Sequence, residues 1–247
     1  MKAVIIDDDP AAINTLQLML NQHIPEIRPV KTSSDPTKAV QLIKTFKPQL
    51  VFLDSQIPAM KDFNLLKKLP EINFHFIFTI AHCNHAFEAV RFSGFDYLMK
   101  PVDEGQFHLA ADRLMKSSLI TTEQQLLYEN LLYNIATQNR KDFRLALPAS
   151  EGIYFCRPGE IIRLEGEIDH TWFYFSNRRP LLVSKTLKEY EQILNGYGFL
   201  RIHRFHLINE IHVMNYTQFG TLTLSDRSQV DISRRRKENV LEALRSR

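Results

Sequence analysis

The sequence predicts an α/β domain followed by a mostly β domain. Three observations carry this. Over residues 1–117, short apolar runs alternate with segments of helical period, five of each. Residues 118–142 are polar and hold no Gly or Pro. From residue 143 the apolar runs are short, rich in aromatic and β-branched residues, and separated by turn signals.

The first domain's elements come in order. Residues 2–6 read as a strand and Pro10 to about His23 as a helix, with Asp9 as an acid at its N-terminus. Strand 28–32, helix 36–46, strand 50–53 and helix 62–68 come next. Strand 74–80, helix 84–92, strand 96–99 and helix 103–117 complete the set. Ser33-Ser34-Asp35-Pro36, Lys47-Pro48, Gly94 and Lys100-Pro101 punctuate the units, and Ser34 or Asp35 can cap the second helix. Five alternations with right-handed crossovers give a doubly wound, five-stranded parallel sheet covered on both faces. The domain boundaries read as 1–118, 119–142 and 143–247. The middle stretch places Leu127, Leu131 and Asn134 on one helical stripe. Without sustained heptads it is expected to be a solvated helical linker, with a dimer seam as the lesser reading.

In the second half the strand runs are 152–155, 161–164, 171–175, 180–183, 207–208, 212–214 and 220–224. A helix from Thr186 to about Leu194, capped by Ser184 or Thr186 and closed by Gly196, interrupts them. A second helix, about Arg235 to Leu244, comes after the last run.

Composition narrows the class. The 247 residues are 44% hydrophobic, enough to bury real cores. No apolar stretch reaches the roughly 20 residues of a membrane span, and Met1-Lys2-Ala3-Val4 does not have the layout of a signal peptide. Two cysteines, Cys83 and Cys156, make no disulfide scaffold, so a reducing cytoplasm is expected. Residues 1–142 hold 15 basic and 16 acidic side chains, and residues 143–247 hold 16 and 12. The excess cations of the second half, including Arg234-Arg235-Arg236-Lys237, are compatible with nucleic-acid binding.

Charged residues stand where buried strands should surface: Asp7 and Asp8 after the first, Asp54 at the end of the third, Lys100 after the fifth. Parallel neighbours bring these ends to one edge, where open α/β sheets bind ligands. Carboxylates gathered there repel one another unless a cation joins them. Oxygen ligands of this kind suit Mg²⁺, which also accepts phosphate oxygens. A phosphoryl group is therefore the expected ligand.

On Asp7-Asp8, on Asp54 within Val-Phe-Leu-Asp-Ser-Gln-Ile-Pro, and on Lys100-Pro101 after Tyr97, residues 1–118 resemble the receiver domain of bacterial response regulators, a flavodoxin-like fold of which CheY is the minimal example. The resemblance implies that Asp54 is the phosphoacceptor, taking its phosphoryl group from a phosphohistidine of a sensor kinase. It implies Mg²⁺ held by Asp7, Asp8, Asp54 and the backbone carbonyl of Gln56. It also implies that Lys100 pairs with the phosphoryl group, that the Lys100-Pro101 bond is cis, and that Tyr97 is the switch aromatic. Two positions depart from the pattern. Receivers usually place Thr or Ser where this chain has Ile80; Thr79 is adjacent, but neighbours in a strand face opposite ways. Asp62 stands where Gly is common. Coupling of phosphorylation to shape is thereby in question.

From about residue 143 the chain resembles the LytTR DNA-binding domain. The stretches that carry it are Ile161-Ile162-Arg163-Leu164-Glu165-Gly166, Leu182-Val183-Ser184-Lys185-Thr186-Leu187-Lys188-Glu189, Phe199-Leu200-Arg201-Ile202-His203-Arg204, Leu207-Ile208-Asn209 and Ile232-Ser233-Arg234-Arg235-Arg236. The resemblance implies DNA reading by the loops 168–171, 201–206 and 233–236. Candidate DNA-binding residues are Asp169, His170, Thr171, Lys185, Arg201, Arg204, Arg234, Arg235 and Arg236. Arg204 and Arg235 are the expected base readers, since Arg forks two hydrogen bonds onto guanine. The other cations would neutralise phosphates. Asn209 is expected to be structural, His203 packed in the core, and Trp172 and Phe173 packing residues rather than base-stacking ones.

The expectation is a cytoplasmic, phosphorylation-regulated transcription factor. It would be a homodimer through the face of its fourth helix, fifth strand and fifth helix, bound to repeated half-sites in double-stranded DNA, with no membrane partner and no enzymatic turnover beyond self-dephosphorylation. One alternative is a receiver that no longer switches, because of Ile80, and so a constitutive DNA binder or adaptor. A remote one is a haloacid-dehalogenase-like phosphatase, whose usual Gly-Thr after the acidic motif is here Pro10-Ala11. His82-Cys83-Asn84-His85 gathers metal-ligand types without a fourth ligand, so no transition-metal site is expected there.

Overall fold

A computed structural model describes residues 1–54, 68–69, 72–81, 85–116 and 121–245. They form two compact units, Met1–Gln138 and Asn139–Arg247. Residues 62–67 of the expected helix 62–68, and the Gln56, His82, Cys83 and Asn84 positions, lie outside the described residues, as does Asp62.

The first unit contains strands β1 (Ala3–Ile6), β2 (Val30–Ser33), β3 (Leu50–Asp54), β4 (His75–Ile80) and β5 (Asp96–Met99). Its helices are α1 (Pro10–His23), α2 (Pro36–Phe46), α3 (His85–Phe92), α4 (Glu104–Lys116) and α5 (Thr121–Ala136). The sheet is parallel throughout, in the order β2-β1-β3-β4-β5. Strand order reverses between β1 and β3, which makes the crevice outside their carboxyl ends the natural ligand site. Every residue of β1 and β3 is buried, as strands covered on both faces must be. On one face Ile5, Phe52, Leu98, Leu16, Leu20 and Phe107 build a core between the sheet, α1 and α4.

Local chemistry fixes the helix starts. Asp9 caps α1 by accepting from the Ala11 N–H at 2.9 Å, with Pro10 at the first position. Asp35, rather than Ser34, caps α2 and accepts from Thr37 and Lys38. The two backbone N–H groups hold its carboxyl below the usual range.

The stretch expected to be a solvated linker is instead the packed helix α5. Gln124, Leu127, Tyr128, Asn130, Leu131 and Asn134 are all buried within the first unit. Asn134 donates to Ser93 Oγ at 3.1 Å, and both residues are fully buried. Gln124 lies within 3.2 Å of the His75 ring, and the Ile72 N–H bonds Gln125. The stripe holding Leu127, Leu131 and Asn134 thus covers its own domain, in which α5 packs against α3. The same burial removes that stripe as a dimer seam.

The second unit opens with the hairpin β6 (Leu145–Ala149) and β7 (Gly152–Cys156). Next comes a five-stranded antiparallel sheet, ordered β10-β9-β8-β12-β11, from β8 (Ile161–Glu167), β9 (His170–Phe175), β10 (Leu181–Val183), β11 (Phe199–Arg201) and β12 (His206–Asn209). Strands β13 (Val213–Tyr216), β14 (Thr221–Leu224) and β15 (Gln229–Asp231) form a smaller sheet. Helix α6 (Leu187–Ile193) begins at a capping box of Thr186 and Glu189, and α7 (Lys237–Arg245) is the last helix. Two buried groups seat these parts: Ile162, Ile202, Ile208, Leu222 and Val240 in one, Phe173 against Tyr190 in the other.

Candidate functional site

At the carboxyl edge of the parallel sheet, Asp7 leaves β1, Asp54 ends β3 and Lys100 comes directly after β5. Lys100 Nζ lies 2.8 Å from Asp7 Oδ2 and 3.2 Å from Asp54 Oδ2. Asp7 and Asp54 are 0% and 1% exposed. Asp7 Oδ1 accepts from the Asp9 N–H at 3.0 Å, which orients the carboxylate. Asp8 is exposed, yet one carboxylate oxygen from each of Asp7, Asp8 and Asp54 lies within 4.8 Å of the others. At that separation two like charges repel by about 3–4 kcal/mol for an effective dielectric near 20.

Burial alone would push the Lys100 ammonium down. The hydrogen bond it donates to Asp7 and the charges of Asp54 and Asp7 outweigh it and hold the group above the usual lysine range. Lys100 therefore stays charged, and among the described residues it pairs with two carboxylates of a cluster of three. The remaining charge and the all-oxygen donor set fit a divalent, hard cation such as Mg²⁺. The Lys100-Pro101 bond is cis, as expected, and the Lys100 N–H donates to the Ile80 carbonyl at 2.8 Å.

Ile80 is fully buried. In the β3–β4 register Thr79, also buried, stands opposite Asp54, while Ile80 pairs with Met99. Tyr97, half-buried, packs edge-on against Phe87 of α3, ring centroids 5.2 Å apart.

In the second unit the backbone draws three loops together. The Gly166 N–H donates to the Phe205 carbonyl at 2.9 Å, joining the β8–β9 turn to the loop before β12. A Cβ on Gly166 would stand 3.1 Å from Leu187, so this strand end tolerates little bulk. The Ser233 N–H donates to Ile202 and Arg236 Nη1 to the Arg201 carbonyl, which brings in residues 233–236. Asp169, His170, Arg204, Arg234 and Arg235 are exposed on these loops, and Lys185 and Arg236 are half-buried. The Arg204 guanidinium lies 4.5 Å above the Phe205 ring.

Two candidates are corrected. Thr171 is fully buried, and its hydroxyl donates to the Lys185 carbonyl at 2.7 Å, so it cannot reach a base. Arg201 is turned inward. It pairs with Glu191 at 2.8 Å and donates to the carbonyls of His203, Leu187 and Arg204. It shapes the 201–206 loop from within, and burial lowers its pKa despite Glu191. His203, expected in the core, is half-buried on that loop, its ring 5.6 Å from Phe205. Asn209 behaves as read: buried, it donates to the Pro158 and Ile161 carbonyls at 3.0 Å.

Sequence reasoning passed over the supports beneath these loops. Arg163 stacks 3.5 Å above Tyr174 and pairs with Glu165 at 2.7 Å. Burial favours the neutral Glu165 carboxyl, but Arg163 outweighs it and holds its pKa low. Alternating charged residues in β8 were the available signal, since Arg163 and Glu165 share a strand face.

Comparison with known proteins agrees with both halves. The family model of the response regulator receiver domain matches residues 3–112, and that of the LytTr DNA-binding domain matches residues 151–245. The sensory transduction protein LytR of Staphylococcus haemolyticus is 26% identical, over 94% of this chain and 95% of its own. The sensory transduction protein LytT of Enterococcus faecalis is 23% identical, with 95% of each chain covered. Among solved structures, the signal receiver domain of a DNA-binding response regulator from Colwellia psychrerythraea is 20% identical, with a TM-score of 0.42, covering 47% of this chain and 99% of that one. A parallel sheet with an acid-lysine pocket, joined to an antiparallel domain with basic loops, defines a response regulator, and the chain belongs to those that join a receiver domain to a LytTR DNA-binding domain. It is a two-component DNA-binding regulator, homologous to the LytR and LytT regulators.

Proposed function

We propose that Asp54 accepts a phosphoryl group from a phosphohistidine of a sensor kinase and that this controls binding of the second domain to DNA. The meeting of the Asp7, Asp8 and Asp54 carboxylates, with Lys100 bound to Asp7 and Asp54, carries the reading. An Asp54 carboxylate oxygen forms the new bond to phosphorus as the phosphorus–nitrogen bond breaks. The electron pair leaves with the imidazole, which takes up a proton. Asp7, Asp8 and Asp54 would hold Mg²⁺, with the Gln56 carbonyl as a fourth protein ligand. The ion offsets repulsion between the carboxylate and the phosphoryl oxygens. Lys100 exchanges its contact with Asp54 for one with the phosphoryl group, as a point charge.

On the output side, Arg204 and Arg235 read base edges. Arg234, Arg236 and Lys185 contact phosphates, and Asp169 and His170 add short polar contacts. Arg201 and Thr171 hold the loops instead. Paired output domains on repeated half-sites of double-stranded DNA would gain affinity by avidity, with a homodimer as the bound species and the cytoplasm as its setting. No described helix is long and apolar enough to cross a membrane. Turnover is limited to loss of the protein's own phosphoryl group.

Genome-wide footprinting of the purified protein, with and without a phosphodonor, tests the reading. Protected sites that strengthen with donor support it; protection of no duplex would overturn it. Buried Ile80 favours one second reading, a receiver that does not switch, in which protection is strong and indifferent to donor.

A further inference from the structure

We infer that His23, Glu104 and His108 form a second metal site, for a divalent transition ion such as Zn²⁺, distinct from the acidic pocket. His23 ends α1, while Glu104 and His108 stand four residues apart on α4 and so share one side of that helix. One donor atom from each lies within 4.8 Å of the others. His23 Nε2 is 3.2 Å from Glu104 Oε1, and the His23 and His108 rings meet edge to face with centroids 4.2 Å apart.

The donor atoms need only a small closure. Zinc ligands sit about 2.0–2.2 Å from the ion, which sets donors of a tetrahedral site roughly 3–3.5 Å apart. Glu104 and His108 are exposed and already turned toward His23, so small side-chain rotations would close the site. His23 is the anchored member: its ring packs against buried Phe107 at 6.0 Å, and its side chain is only 17% exposed.

Donor chemistry separates this site from the first. Two imidazoles and one carboxylate suit Zn²⁺, Cu²⁺ or Ni²⁺, whereas Mg²⁺ is held by oxygen. Three protein ligands leave a fourth position for water or another donor. Such an ion would tie the end of α1 to the first turn of α4, the helix that comes after the Lys100-Pro101 segment. The receiver would then be stabilised by a transition metal independently of phosphorylation.

The test is calorimetric titration of the full-length protein with Zn²⁺ while Mg²⁺ is in excess, beside the variants His108→Ala and Glu104→Gln. Both replaced side chains are exposed, so the fold survives. The expected result is one Zn²⁺ equivalent in the unmodified protein, weakened at least about tenfold in each variant. Zn²⁺ should also raise the unfolding temperature of the unmodified protein and not that of His108→Ala. Co²⁺ absorption provides the geometry of the same equivalent. Identical Zn²⁺ isotherms in all three proteins, or none that binds, would reduce the cluster to an ion pair with a ring contact and overturn the inference.

Discussion

Lys100 Nζ sits 2.8 Å from Asp7 Oδ2, joining the end of β5 to the end of β1 across the intervening β3 and β4. The contact exists because strand order reverses between β1 and β3, which sets Asp54 beside Asp7 and within 3.2 Å of the same ammonium. Removing the ammonium takes away the charge that pairs with buried Asp7 and Asp54 and that is proposed to meet the arriving phosphoryl oxygens. Lys100→Met is expected to slow phosphoryl uptake from a small acyl-phosphate donor by about 100-fold, a typical effect of losing one electrostatic contact. Single-turnover label uptake measures it, and an unchanged rate would remove Lys100 from the chemistry.

Ile80 bears on how the receiver responds once phosphorylated. It is buried behind the pocket, its carbonyl held by the Lys100 N–H, and it brings no hydroxyl. Thr79, which does carry a hydroxyl, stands opposite Asp54 in the strand register. In Ile80→Thr the donor-induced gain in DNA affinity is expected to exceed that of the unmodified protein. Thr79→Val serves as the partner variant: if it alone abolishes the gain, Thr79 is the contact and Ile80 is not the weak point.

Asn134 and Ser93 form a polar pair inside the first domain. Ser93 Oγ donates to the Ala89 carbonyl and accepts from Asn134, which fixes α5 against the end of α3. Asn134→Ala leaves buried polar groups unmatched and is expected to cost about 1–3 kcal/mol. Urea unfolding of the two proteins checks this. A loss within error would mean that α5 contributes little to the receiver.

His75 makes the same docking sensitive to acid. Burial lowers its pKa, and the nearby Asp96 charge opposes the shift without cancelling it. A histidine depressed in the folded state contributes stability above its ordinary value of about 6.5, and that contribution is lost as pH falls toward the depressed value. Thermal unfolding between pH 7.5 and 5.5 should therefore show a steeper loss in the unmodified protein than in His75→Gln. Parallel curves would contradict the assignment.

The basic loops divide into readers and supports. Arg235→Ala is expected to weaken specific DNA binding by about 1–3 kcal/mol and to relax specificity at one base position. Arg201→Lys should act differently. Lysine lacks the planar fork that serves Glu191 and the loop carbonyls together, so the whole 201–206 loop loosens. Binding then falls for all sequences alike, together with domain stability. A base-specific change in Arg201→Lys would restore it as a reader.

The two-domain plan was legible because period is a local property: the fully buried strands β1 and β3 are continuous apolar runs that meet an acid at their ends, and β3 ends directly in Asp54. The acidic pocket was legible for the same reason, given a parallel sheet. Inward-facing polar residues were not. Thr171 reads as an exposed loop residue until β10 brings the Lys185 carbonyl to its hydroxyl. Arg201 reads as one more cation in a basic loop until α6 presents Glu191. The stripe of Leu127, Leu131 and Asn134 was visible, but what it packs against depends on Ser93, 41 residues earlier. β6, β11 and β15 were missed as strands; Leu145–Ala149 contains Pro148, and Phe199–Arg201 and Gln229–Asp231 are three residues long each.

The most direct measurement is mass spectrometric mapping of the protein after exposure to a phosphorylated donor, with Mg²⁺ and with chelator. One phosphoryl group on Asp54, formed only with the ion and absent from Asp54→Asn, is the expected result. Label on another residue, or uptake that ignores the chelator, would contradict a pocket built from Asp7, Asp8 and Asp54 around a divalent cation.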